Sequence, residues 1–157
     1  MKREKQVAEK LIAAGKTITF MESCTAGLLA SMLTDTEGVS AVFKGSIVTY
    51  SNEAKAAAGV PPFVIQEYGV YSAQCAREMA AAAQEAYCSD IAVGITGTTG
   101  NADRENEGSR EGEAYYCIIA GEDIHDYRIR AQVAGMTRRE IKELYAADVY
   151  EKLLELL

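Results

Sequence analysis

Residues 16–35 read KTITFMESCTAGLLASMLTD. The segment KTITFME alternates apolar and polar side chains with the period of a β-strand. SCTAGLLASMLTD instead spaces its apolar residues as a helix does, behind a serine that suits a helix cap. A strand passing through a tight junction into a helix is the unit from which α/β domains are assembled. The same change of period recurs in both directions along the chain. Upstream, Val7, Leu11 and Ile12 predict an amphipathic helix over residues 2–14 that stops at Gly15. Downstream, the β-branched and aromatic residues of VFKGSIVTYS predict a second strand, and NEAKAAAG a short helix closed by Gly59.

Beyond VPPF, the alanine-rich SAQCAREMAAAAQEAYC predicts a helix capped by Ser72, and DIAVGITG a buried strand entering a glycine-containing turn. TTGNADRENEGSREGE is polar throughout and reads as a loop. AYYCIIAG and HDYRIRAQV predict a hairpin around GED, and TRREIKELYAADVYEKLLELL a long final helix opening at Thr137. Helices interleaved with strands and followed by a late hairpin imply an α/β sandwich with a mixed sheet. In such sheets ligands bind where strands end and helices begin.

Composition narrows the function. At 157 residues and 48% hydrophobic content the chain has the size and apolar surface of one domain. A formal net charge of −7 repels polyanions, so a nucleic-acid partner is not expected, although a small anion can still find a local basic pocket. No apolar run is long enough for a bilayer, and the charged opening MKREKQVAEKLIAAGK lacks the apolar core of a signal peptide, so no membrane role and a cytoplasmic location are expected. Cys24, Cys75, Cys88 and Cys117 form no CxxC pair, and with one histidine they suggest neither a zinc site nor a disulfide framework.

Three strand ends carry small polar residues: ESCTAG, TYSNEAK and GITGTTG. Ser23, at a strand-to-helix junction, has two readings. It is a plain helix cap, or it presents its hydroxyl beside N–H groups that hold an oxyanion or phosphate. Tyr50 and Lys55 are ordinary surface residues on pattern alone, yet their spacing also lets both heads reach back over the strand terminus. A serine–lysine pair is more economical than a triad through His125, which lies in the hairpin. Cys24 reads as a small core hydrophobe. GITGTTG lacks the lysine of a Walker loop, which disfavours ATP binding by that route. Arg138 and Arg139 open the last helix, where basic residues oppose the helix dipole, and this leaves a ligand role and simple exposure equally open.

The block ESCTAGLLASMLTDTEGVSAVFKGSIVTYSNEAKAAAGV, continued by YGVYSAQCAREMA and DIAVGITGTTG, closely resembles the CinA C-terminal domain family of nicotinamide-nucleotide amidases. The resemblance covers nearly all of residues 1–157. It implies a three-layer α/β/α sandwich with a mixed, mostly parallel sheet, and hydrolysis of the carboxamide of nicotinamide mononucleotide to nicotinate mononucleotide and ammonia. It implies no metal or organic cofactor, a small pyridine nucleotide as partner, and a homo-oligomer. Catalysis is carried over to Ser23, Tyr50 and Lys55. Substrate binding is carried over to Glu22, Thr25, Gly27, Gly45, Ser46, Thr96, Gly97 and Arg138. Larger members carry an N-terminal molybdopterin-binding-like domain, for which this chain is too short. The sequence departs from the family after GITG, where a proline and a glycine cluster give way to a loop containing Asp103, Glu105 and Glu107. Negative charge beside a substrate phosphate weakens binding, which keeps two alternatives in view: an amidase acting on another small carboxamide, and a catalytically silent nucleotide-binding protein of the same fold.

Overall fold

The computed structural model describes residues 1–101, 103–106 and 108–157. Its elements run α1 (Arg3–Ala14), β1 (Ile18–Glu22), α2 (Leu28–Thr34), β2 (Phe43–Val48), α3 (Asn52–Ala57), α4 (Pro62–Tyr68), α5 (Ala73–Tyr87), β3 (Ile91–Gly97), β4 (Glu113–Ala120), β5 (Asp123–Arg130) and α6 (Arg138–Leu156). The sheet order is β2-β1-β3-β4-β5, with β1 parallel to both β2 and β3 and β4 antiparallel to both its neighbours. Every strand except β4 therefore points the same way, as the mixed, mostly parallel sheet requires.

Period-two alternation sorts the buried side chains into two layers. Ile18 and Phe20 of β1, Val93 and Ile95 of β3, and Tyr116 and Ile118 of β4 join one core with α1, α2 and α6. Met21 of β1 faces the other side with Cys75 and Met79 of α5, and Cys117 and Ile119 of β4 pack on Ala76 and Ala80. The alanines of α5 bring that helix very close to the sheet. A Cβ on Gly94 would lie 2.3 Å from the Ala76 carbonyl oxygen, so β3 supports the helix backbone almost directly. No helix among the described residues is long and apolar enough to cross a membrane.

One local expectation is corrected. The helix expected to start at Ser23 starts at Leu28, because Ala26 and Gly27 adopt left-handed conformations with φ of 49° and 92°. Residues 23–27 thus form a turn, and Ser23 is not a cap. The VPPF connector opens a helix, α4, with Pro62 in its first turn, where a missing N–H costs nothing.

The topology gathers the site. The C-terminal ends of β1, β2 and β3 lie on one edge of the sheet, where they release Ser23, Thr49 and Thr98 respectively. Because β5 runs in the same direction, it too ends on that edge and delivers the start of α6 there. Thr137 caps α6 through a reciprocal capping box with Glu140, as its position predicts. Farther along α6, the Tyr145 hydroxyl donates to the Thr98 carbonyl at 2.7 Å and ties the helix to the β3 end.

Candidate active site

Ser23 is pinned by its backbone. Its N–H donates to the Ile95 carbonyl at 3.1 Å, and its carbonyl accepts from the Ala26 N–H at 3.0 Å. The side chain is left out of capping, because the carboxylate of Glu22 takes over the helix start. Glu22 is fully buried and accepts from the N–H groups of Leu29 and Ala30 and from the hydroxyls of Thr25 and Ser46, at 2.7–3.2 Å. A buried carboxylate with this many donors is stable in place.

Lys55 comes to Ser23 from α3. Ser51 caps that helix by accepting from the Ala54 N–H at 3.0 Å, and the lysine side chain runs back beneath the β2 end. Its Nζ donates to Ser23 Oγ and to the Thr49 carbonyl, both at 2.9 Å. Lys55 is only 2% exposed and Ser23 7%. No carboxylate among the described residues lies within ion-pair distance of the amine. Burial lowers the pKa of Lys55, and the opposing influence of the nearby Cys75 and Cys24 is smaller. The neutral amine is a base with one lone pair. It can keep donating to Thr49 while accepting the Ser23 proton.

Cys24 is buried, and burial pushes its thiol up to about 12, so it carries almost no thiolate at neutral pH. This agrees with reading it as core. The N–H groups of Cys24 and Thr25, unlike those of Ser23 and Ala26, make no backbone–backbone hydrogen bond among the described residues. They follow Ser23 directly in the turn.

Tyr50 is 61% exposed and lines the rim of the cleft above Ser23 and Lys55. Its hydroxyl accepts from the Arg138 guanidinium at 3.0 Å rather than bonding either of those residues, so β2's end and the start of α6 meet across the cleft mouth. The phenolic hydrogen remains available to a ligand. Gly97 and Arg138 border the outer part of the cleft, together with Thr98 and Thr99.

The other residues expected to contact substrate belong to the scaffold beneath the cleft. Glu22, Thr25 and Ser46 are consumed by the buried network just described. Gly27 supplies the left-handed turn before α2. Gly45 sits under the Tyr87 ring, 2.7 Å from where a Cβ would be. Thr96 is buried and donates to the Val70 carbonyl at 3.0 Å. For Glu22 this has a measurable consequence. Glu22→Ala strands two buried N–H groups and two hydroxyls, and should lower unfolding free energy by about 2–4 kcal/mol, read by urea titration.

Sequence reading missed Tyr71. Its hydroxyl donates to Asp103 at 2.7 Å, and both side chains line the cleft. An aromatic residue in the short turn before a capped helix was the available signal. Asp103 and Glu105 do stand at the cleft, as the loop's position implied, while Glu107 lies outside the described residues. Among the described residues no cluster of three or more His, Cys, Asp or Glu is placed to hold a metal ion.

This chain has close relatives in sequence and in structure. It is 34% identical over 152 residues to the "Protein MG115 homolog" of Mycoplasma pneumoniae, covering 96% of this chain and 94% of that one. A "CinA-like protein" of Fervidobacterium nodosum is 44% identical over 95 residues, 60% of this chain and 23% of the relative. The chain spans between 23% and 36% of the length of seven such curated relatives, in contrast to the Mycoplasma protein. The crystal structure of a competence-damaged protein (CinA) superfamily protein from Escherichia coli superposes with a TM-score of 0.91 at 26% identity, covering 99% of this chain and 88% of that one. The family profile described as CinA C-terminal domain matches residues 1–157, and the chain belongs to that family.

Proposed function

We propose that the chain is a serine amidohydrolase that removes ammonia from the carboxamide of nicotinamide mononucleotide. One observation carries the chemistry: a buried lysine with a lowered pKa, with no carboxylate within ion-pair distance among the described residues, 2.9 Å from the hydroxyl of Ser23 at the floor of a cleft. The pyridine-nucleotide substrate comes from the resemblance of the ESCT and TYSNEAK motifs to nicotinamide-nucleotide amidases.

In this reading neutral Lys55 accepts the Ser23 proton as Oγ attacks the carboxamide carbon. The N–H groups of Cys24 and Thr25 hold the oxyanion. Protonated Lys55 then gives its proton to the departing nitrogen, so ammonia leaves and an acyl ester remains on Ser23. Lys55, neutral again, deprotonates a water that attacks the ester. Collapse of that second intermediate releases the carboxylic acid and returns the proton to Ser23. The Thr49 carbonyl holds Nζ in position throughout. Tyr50, anchored by Arg138, offers its phenolic hydrogen at the mouth of the cleft, where it relays a proton or orients the substrate.

Ammonia release from nicotinamide mononucleotide, nicotinamide riboside, nicotinamide and simple aliphatic carboxamides tests the assignment. Turnover confined to the nucleotide is the expected result. Equal turnover of carboxamides lacking the phosphate would favour the broader amidase, a reading supported by Asp103 and Glu105 on the cleft wall. No turnover, with thermal stabilisation by the nucleotide, would indicate a binding protein instead.

A further inference from the structure

The cleft over Ser23 has an inner and an outer basin with different charge. The inner one, about 240 Å³, includes Ser23 and Lys55 and is bordered by Glu53, Asp103 and Glu105. The outer one, about 680 Å³, also reaches Ser23 and shares Asp103 and Glu105, but adds Arg104 and Arg138. Three carboxylates border the inner basin against the single amine of Lys55, whereas two guanidiniums balance two carboxylates outside. Ser23 therefore stands between a basin with an excess of carboxylates and one in which the charges balance.

These charges are anchored. Asp103 accepts from the Tyr71 hydroxyl at 2.7 Å, the Asn106 amide at 2.6 Å and the Glu105 N–H at 2.9 Å, and Asn106 accepts from Asn52 of α3 at 3.3 Å. Asp103 and Asn106 are thereby linked to the helix that carries Lys55. The hydrogen bond from Tyr71, aided by those from Asn106 and Glu105, keeps the Asp103 carboxyl below its usual range, so it is ionised at neutral pH.

We infer that Glu53, Asp103 and Glu105 make the inner basin selective for a carboxamide borne on a cationic ring, so that a quaternary pyridinium is bound in preference to an uncharged ring of the same shape. The inference rests on the amidase reading for the choice of the group that enters the inner basin. It also reverses the sign expected for the acidic loop. The carboxylates attract the ring, and the phosphate of a nucleotide is left to the outer basin, beside Arg104 and Arg138. A zwitterion laid across the two basins presents its amide to Ser23, which borders both.

The test compares nicotinamide mononucleotide with its reduced dihydropyridine form, which keeps the amide, ribose and phosphate but loses the ring charge. Binding is measured by calorimetry on Ser23→Ala protein, in which turnover is blocked and the acidic residues are intact. The oxidised form should bind about fivefold more tightly at low salt, the scale expected for a few exposed charges. That preference should fade as ionic strength rises. Adding Glu53→Gln and Glu105→Gln, both at exposed positions that threaten no packing, should bring the two affinities within about twofold of each other. Equal binding of the two forms, or a ratio unmoved by neutralisation, overturns the inference. So does a gain in affinity shared by both forms, which would mark the loop as a repeller of phosphate. A charge preference in a protein that hydrolyses no carboxamide would support the cation-selective basin while refuting the amidase reading.

Discussion

Ser23→Ala should reduce ammonia release by at least about a thousandfold, while Cys24→Ala keeps most of the activity, the scale at which removal of a covalent nucleophile is felt. The two side chains are adjacent in sequence but differ in every respect that governs nucleophilicity. Ser23 Oγ is 2.9 Å from the Lys55 amine and opens onto the cleft. Cys24 is buried, with its thiol raised to about 12, so at neutral pH it stays protonated. Replacing the cysteine with alanine removes one small buried group, and the N–H that would serve the oxyanion is unchanged. Ser23→Ala leaves Lys55 its bond to the Thr49 carbonyl, so the fold is expected to survive. The measurement is steady-state ammonia production by both variants, with circular dichroism to verify folding. A folded but inactive Cys24→Ala protein beside an active Ser23→Ala protein would reverse the assignment.

The parts of the structure that rest on periodicity were legible in advance. Strand alternation in KTITFME and DIAVGITG places Phe20 and Val93 on one face and Met21 and Gly94 on the other, and the structure keeps that division. The capping roles of Ser51, Ser72 and Thr137 follow from side-chain chemistry and local spacing, although Ser51 was not singled out. What failed was the start of α2. Serine ahead of an apolar run is a good cap, but the signal is local, and here a carboxylate from the preceding strand outcompetes it. The same event leaves the Ser23 hydroxyl out of capping and commits the Glu22 carboxylate to the junction. Motif residues do not separate in sequence into those that meet a ligand and those that build the junction; only depth does that. The pairing of Tyr71 with Asp103, 32 positions apart, is likewise a product of tertiary contact. No window of sequence contains it.

Lys55→Arg should be nearly as damaging as Lys55→Ala, with kcat/KM falling by about a hundredfold or more, because a guanidinium keeps its proton and cannot serve as a base. The arginine is also bulkier than its buried slot, so Lys55→Met is the control for packing. It keeps the length, removes the charge, and should be inactive yet at least as stable as the parent protein. The direction of the pH dependence follows from burial, which favours the neutral amine and holds the folded pKa below the ordinary lysine value of 10.5. Activity should therefore rise with pH as the free base appears, and level off above the folded pKa. Stability should move the same way. Between the folded pKa and 10.5 the unfolded chain binds the proton and the native one does not, so unfolding free energy climbs with pH through that window. Below the folded pKa the cost of a buried ammonium is felt in full. In Lys55→Met this contribution to the slope should disappear, because no amine remains to titrate. If the arginine variant turns over at a substantial rate, fixed charge rather than proton transfer is what the site needs. A kcat/KM that is flat from acid to alkaline pH in the parent protein would remove Lys55 from the role of base altogether.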